Sequence, residues 1–185
     1  MSITLETPLD NMTVESLRVG DDVLLSGVIY TARDAAHKRF AALIDKGEKL
    51  PVDLAGQVLF YCGPSPAKGG RPIGSAGPTT SGRMDRFTPQ LLSATGLKGM
   101  IGKGERGAEV IAAMKRFGCV YFAATGGAGA LIAKSVVSSK AVCYQDLGPE
   151  AVYRLEVENM PLIVAIDSRG NDLYKSGPGA YRRSI

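Results

Sequence analysis

The chain has no tryptophan, and aromatic residues make up only 6% of its 185 positions. That scarcity argues against modules that bind nucleic acid by stacking bases on aromatic side chains. Runs of one charge are missing too. The 22 lysines and arginines exceed the 18 acidic residues by only four, and they are scattered. Without a polybasic tail or stripe, no nucleic-acid partner is expected. No apolar stretch approaches the roughly 20 residues of a membrane span. The opening MSITLETPLD lacks the basic and apolar regions of a secretory signal. No membrane association is expected. Cysteine is sparse: Cys62, Cys119 and Cys143 are an odd, widely spaced set. A disulfide framework does not fit, and a reducing cytoplasm is the simplest setting. Close CxxC pairs, the usual mark of iron–sulfur ligation, are absent, so buried structural cysteines are the better reading. His37 is the one histidine, which excludes a multi-histidine metal site within this chain.

What the chain does contain is an ordinary globular balance, 45% hydrophobic and 22% charged. Its length suits one domain over residues 1–185, with no internal repeat and no dividing linker. Residues 1–21 read as a lead-in. Strands are expected at Asp22–Tyr30, Val52–Leu54, Gln57–Cys62, Gly99–Ile101, Cys119–Ala124, Ala141–Tyr144, Ala151–Val157 and Leu162–Asp167. Helices are expected at Arg33–Ile44, Thr88–Thr95 and Ala108–Phe117, with a small-residue helix opening at Gly126-Gly127-Ala128-Gly129. From Asn171 onward the chain reads as a polar tail. Strands and helices alternate between residues 98 and 145, which favours an α/β fold with parallel pairing there.

The densest chemistry lies in Gly77-Pro78-Thr79-Thr80-Ser81-Gly82-Arg83-Met84-Asp85. Proline fixes one dihedral and the glycines open conformations closed to other residues. Such a loop can turn N–H groups, hydroxyls and a guanidinium toward one small anion. The competing reading is that Thr79 or Thr80 only caps the next segment. Gly102-Lys103-Gly104-Glu105-Arg106-Gly107 matches GxGxxG between a strand and a helix. The acid expected about twenty residues later in a dinucleotide site is missing, since Tyr121–Ala130 holds no Asp or Glu. A helix start with unpaired N–H groups beside Lys103 could still be an anion-binding corner, or merely a glycine turn with a solvated lysine. In Arg33-Asp34-Ala35-Ala36-His37-Lys38-Arg39, Arg33 and His37 share a helix face. This is either a solvent-facing helix with an Arg–Asp pair or a start at which Arg33 grips a carboxylate.

Taken in order, these blocks with Tyr61-Cys62-Gly63-Pro64 and Leu162-Ile163-Val164-Ala165-Ile166-Asp167 resemble one family. It is the beta subunit, or C-terminal domain, of the iron–sulfur class I fumarate hydratases and the related L-tartrate dehydratases. The likeness runs over nearly the whole chain. Gly82-Arg83-Met84-Asp85 is closer to the fumarase branch. The resemblance implies a swivelling β/β/α domain with a mixed sheet and flanking helices. It implies a [4Fe–4S] cluster held by a partner alpha subunit, with none bound by this chain. It also implies a hydro-lyase active only with that subunit. By position, Arg33, Thr79, Arg83 and Lys103 match the family's substrate-contacting residues, and Thr79 its candidate proton-transfer residue. Thr80, next to it, stays open for that role, as does a homodimer of the chain.

The expected substrate is a small dicarboxylate, fumarate hydrated reversibly to (S)-malate, with L-tartrate dehydration as the near alternative. Binding a dianion calls for about two cationic sites, and Arg33, Arg83 and Lys103 supply cations from three separate loops. Two readings of other classes compete: a nucleotide-dependent oxidoreductase using Gly102–Gly107, and a non-catalytic module that binds dicarboxylates or scaffolds a partner.

Overall fold

The structure, a computed structural model, describes residues 2–67, 69–124 and 127–181. In chain order the elements are β1 (Ile3–Glu6), α1 (Asn11–Ser16), β2 (Asp22–Thr31), α2 (Asp34–Asp45), β3 (Val58–Phe60), α3 (Thr88–Thr95), β4 (Gly99–Gly102), α4 (Ala108–Phe117), β5 (Val120–Ala123), α5 (Gly129–Ile132), β6 (Val136–Cys143), β7 (Val152–Ile166) and α6 (Leu173–Tyr181). Short 3₁₀ turns occupy Ser81–Met84 and Gln145–Glu150.

The strands form one mixed sheet in the order β1-β2-β3-β4-β5-β7-β6. The first five pair in parallel, and β7 runs antiparallel to β2, β5 and β6. The additional β2–β7 pairing closes the circuit β2–β3–β4–β5–β7 back on β2. Strands β3 and β4 are buried throughout, and β5 nearly so. Parallel strands covered on both faces read as continuous apolar runs. Alternate side chains feed two cores. Val58, Phe60, Ile101, Val120 and Phe122 meet Leu25, Ile29, Leu155 and Leu162 inside the ring. Leu59, Met100 and Tyr121 face outward and pack with Phe40, Leu91, Val110 and Met114 of the helices. Two strand layers and a helical layer result, which is the β/β/α arrangement.

Sequence chemistry sets the helix ends. α4 buries Val110, Ile111, Ala113 and Met114 along one stripe and stops at Gly118, whose φ of 62° is left-handed. Glu109 in its first turn and Lys115 and Arg116 in its last suit the helix dipole. α3 ends the same way at Gly96.

Four expectations change. The lead-in holds a strand and a helix: β1 lies against β2, and Val14 and Leu17 of the α1 region are buried. Val52–Leu54 is not a strand, and Leu54 packs instead among the helices. The two strands expected at Ala151–Val157 and Leu162–Asp167 are one, β7. Asn159 absorbs the bend with φ 49°, and the register slips opposite it between Leu25 and Gly27. Pro161 is tolerated because β6 pairs only up to Val157 and β5 only from Ile163, so one flank of the proline has no neighbour. The polar tail contains α6, anchored where Asp172 pairs with Ile166. The small-residue helix begins at Gly129; Gly126 lies outside the described residues.

Candidate functional site

Strands β2, β3 and β4 are parallel and end side by side, and each releases a loop bearing an expected residue. Crevices beyond the carboxyl ends of parallel strands are where α/β sheets place ligands. Arg33 follows β2 and is the N-cap residue of α2. Lys103 directly follows β4. The Gly77–Asp85 segment returns from a long loop and wedges between the ends of β3 and β4. The Thr79 N–H donates to the Tyr61 carbonyl at 2.6 Å, and the Ser81 N–H to the Lys103 carbonyl at 2.9 Å. Thr80 pairs with Lys103 as a parallel bridge. The 3₁₀ turn then carries Arg83 back to α2, where its Nε donates to Asp34 Oδ1 at 2.9 Å. A chain of direct contacts thus joins the loops of Arg33, Thr79, Arg83 and Lys103 along one rim.

That rim is open outward. The Arg83 side chain is 52% exposed, Lys103 is exposed and Thr79 half-buried. The Thr79 hydroxyl makes no hydrogen bond among the described residues. A groove of about 610 Å³ lies elsewhere, between Ile44, Leu50, Leu54 and Thr95, and none of the four residues lines it. Size alone would favour that groove; the convergence of cations and hydroxyls favours the rim.

Two carboxylates sit among the cations. Asp34 Oδ2 stands 4.0 Å from Arg33 Nε. Glu150 Oε1 lies 3.3 Å from Arg33 Nη2, and its Oε2 accepts the Ala35 N–H at 3.1 Å. Glu150 therefore caps α2 from a distant turn, at a helix end whose dipole favours negative charge. Arg39 holds that turn in place by a two-pronged grip on Asp146 and lies over the Tyr144 ring.

The floor of the rim is a buried clamp. The Arg106 side chain is fully buried, and its Nε donates to Asp85 Oδ1 at 2.7 Å. Its Nη2 donates to Thr88 Oγ1 at 2.9 Å, and its guanidinium lies near the rings of Tyr61 and Tyr121, 5.3 and 5.1 Å from their centroids. Asp85 Oδ2 accepts the Gly107 N–H at 2.6 Å. The Tyr121 hydroxyl, its ionisation pushed up by burial, donates to the Gly104 carbonyl at 3.0 Å and lies 2.8 Å from Ser81 Oγ. Gly102 must be glycine, because a Cβ there would overlap Ser81 Oγ.

Asp85 locks the Arg83 turn to the β4–α4 loop. Two expectations change. The corner at Gly102–Gly107 is not a free set of donors, since the Gly107 N–H is taken by Asp85 and the Gly104 N–H by the Tyr174 hydroxyl of α6 at 3.1 Å. Neither threonine makes a side-chain cap: Thr80 stands at the N-cap of the 3₁₀ turn without such a bond. The solvent-facing reading of His37 also fails. Its ring is buried against Tyr61, Phe87 and Phe40. Its Nδ1 donates to the Arg33 carbonyl at 2.9 Å, and its Nε2 is buried with no partner among the described residues. Burial, reinforced by the charge of Arg106, pushes its pKa down to about 4.

The cysteines lie apart. Cys62 belongs to the inner core, Cys119 to the helix-facing core, and Cys143 ends β6 half-buried. Burial pushes the first two thiols up to about 12 and the third to about 11. No cluster of three His, Cys, Asp or Glu side chains suited to a metal occurs among the described residues. No helix among them is long and apolar enough to cross a membrane.

A family model described as Fumarase C-terminus matches residues 1–177. A Methanocaldococcus jannaschii protein named "Putative L(+)-tartrate dehydratase subunit beta" is 42% identical over 172 residues, covering 90% of this chain and 88% of that protein. Fumarate hydratase 2 of Leishmania major is 35% identical, covering 94% of this chain but 31% of that protein. The anaerobic class I fumarate hydratase of Escherichia coli is 38% identical, covering 82% of this chain and 28% of that enzyme. The chain thus spans most of the archaeal relative and under a third of these two fumarate hydratases. A match over nearly its full length places the chain in the Fumarase C-terminus family.

Proposed function

We propose that this chain is the beta component of a two-part hydro-lyase that adds water reversibly to fumarate, giving (S)-malate. The observation that carries this is the joining of Arg33, Thr79, Arg83 and Lys103 on one rim at the ends of three parallel strands. Arginine suits a planar carboxylate because its fork donates parallel hydrogen bonds. Removing the C–H proton next to a carboxylate builds charge on that carboxylate, and fixed cations there stabilise the transition state. Arg83, with donors still unengaged, and Lys103 are suited to that task. Thr79, its hydroxyl unpaired within the chain, is the candidate for proton transfer. No carboxylate or imidazole among the described residues is hydrogen-bonded to it, so its activation would need a base from outside this chain.

On this reading the chain supplies half of the site, and the charge balance supports it. Arg33, Arg83 and Lys103 carry three positive charges, and Asp34 and Glu150 return two, which leaves one against a dianion. The missing charge belongs to an alpha-type partner, closing over the exposed side of the rim. The family resemblance implies a [4Fe–4S] cluster, which would polarise the oxygen that adds or leaves. The donors of this chain do not fit it: its three cysteines are scattered, and burial holds their thiols protonated. The reading places the cluster in the partner, and no step assigned to this chain runs through it.

L-tartrate dehydration is the second reading, favoured by the archaeal relative's name and coverage. Nucleotide binding at Gly102–Gly107 is disfavoured because the Gly104 and Gly107 N–H groups are engaged within the chain and the acid expected about twenty residues later is missing. The test is anaerobic reconstitution with an alpha-type partner, assayed with fumarate and with L-tartrate. The complex is expected to hydrate fumarate, and Arg83→Ala to lower kcat/KM about 100-fold with an unchanged melting temperature. Turnover of tartrate alone shifts the substrate. Full fumarase activity in Arg83→Ala ends the reading.

A further inference from the structure

We propose that Asp34 is a positioning residue, which fixes the direction in which Arg83 offers its guanidinium to the substrate. The role rests on the hydro-lyase reading above. Asp34 is the first residue of α2, so helical geometry holds its backbone and the positive helix end stabilises its carboxylate. Oδ1 accepts the Arg83 Nε–H at 2.9 Å. A guanidinium has two edges that can fork a carboxylate, one containing Nε and one made of the two Nη groups. With Nε held by Asp34, the Nη edge remains, and neither Nη makes a hydrogen bond among the described residues. Arg83 is half exposed and long. Without Asp34 nothing described in the structure would hold it in one rotamer.

Asp34 also stands between the two arginines. Its Oδ2 and the Nε of Arg33 are both buried without hydrogen-bond partners, 4.0 Å apart. One carboxylate thereby ties the loop after β2 to the turn after β3. The second arginine is already engaged by Glu150, so the orienting effect of Asp34 falls chiefly on Arg83.

Removing Asp34 has two opposed effects on the substrate. Arg83 becomes disordered, which weakens binding and misaligns the cation. The site also gains a net positive charge, which strengthens attraction for a dianion. Near a wet surface the second effect is small and comparable to the first. The two nearly cancel in ground-state binding. In the transition state, where alignment matters most, they do not.

The experiment compares Asp34→Ala, Asp34→Asn, Arg83→Ala and the Asp34→Ala/Arg83→Ala double variant. Fumarate kinetics are measured in the reconstituted complex, and arginine Nε–H signals by ¹⁵N NMR in the isolated chain. Asp34→Ala is expected to lower kcat about tenfold while KM moves less than about threefold. Asp34→Asn keeps an acceptor oxygen without the charge, and should recover part of kcat and lower KM. In the Arg83→Ala background the Asp34 change should have no further effect on kcat. The Arg83 Nε–H should exchange slowly in the wild type and fast in Asp34→Ala. Wild-type kcat in Asp34→Ala, an equal loss in the Arg83→Ala background, or an unaltered Nε–H signal each overturns the role. A defective Arg83→Ala with a normal Asp34→Ala removes Asp34 alone. A fully active Arg83→Ala removes the functional reading and this role with it.

Discussion

His37 shows how a single residue couples the site to stability. Its ring fills the space between α2 and the rings of Tyr61 and Phe87, and its one hydrogen bond goes to the carbonyl of Arg33. Burial and the charge of Arg106 oppose protonation, while the Arg33 carbonyl and Asp34 favour it; burial prevails, and the pKa falls from 6.5 to about 4. The folded chain therefore refuses a proton that the unfolded chain accepts below pH 6.5. Above that pH the group contributes nothing to the pH dependence. As pH drops from 6.5 toward 4, stability falls, by about 3 kcal/mol at the limit. Urea unfolding of the wild type and of His37→Gln over this range measures it: the variant should lose less stability than the wild type, and parallel curves would show the ring is not sealed. The burial was not legible in the sequence, because the Ala36–Phe40–Ile44 stripe accounts for the helix face without it. Arg33, Thr79, Arg83 and Lys103 were legible as candidates because each stands in a short, recognisable glycine-framed or helix-starting block. Glu150 was not, because nothing near Glu150 signals that it reaches Arg33.

At the level of elements, the question is what keeps two loops in register. The answer is the pair Asp85–Arg106, with the two tyrosine rings beside the guanidinium. Asp85 seals the start of α4 through the Gly107 N–H and closes the Arg83 turn in the same stroke. Asp85→Ala leaves a buried guanidinium short of its counter-charge, a change that costs about 3–5 kcal/mol in buried pairs. Denaturant unfolding should show that loss, and Arg106→Lys should not avoid it, since lysine lacks the planar fork and the ring contacts. A cost under about 1 kcal/mol for Asp85→Ala would mean that the pair behaves as an exposed one. Local pattern foretold α2, α3 and α4, whose apolar spacing and glycine stops are complete within each segment. It failed at α6, where Gly177 and Pro178 read as breakers, while the contact from Tyr174 to Gly104 that holds the helix spans 70 positions. The role of Asp85 was hidden for the same reason, as its partner lies 21 positions away.

For the molecule as a whole, the decisive feature is the closure of the strand circuit by β2 and β7. No periodicity announces it: β7 looks like two strands, and its bend works only because Gly27, at φ 100° with the Thr7 hydroxyl packed against it, lets β2 bend opposite Asn159. Closure leaves β1 and β6 as the outer strands and gives each strand of the ring two neighbours within the ring, so opening any one breaks at least two seams. The candidate site is built on the ends of three strands of that ring and inherits its rigidity, whereas residues 63–67 and 69–78, which lead to Thr79, make few backbone bonds among the described residues. Amide hydrogen exchange should therefore divide the chain. Amides of β2, β4 and β7 are expected to exchange only by global unfolding, and those of residues 63–67 and 69–76 orders of magnitude faster, through local opening. Fumarate added to the reconstituted complex should slow Thr80 and Arg83 without changing the ring. Exchange of β7 ahead of β3 and β4 would show that the β2–β7 seam is the weak one. The fold would then behave as an open sheet with a docked hairpin, and the rim would not have the rigid base that its chemistry requires.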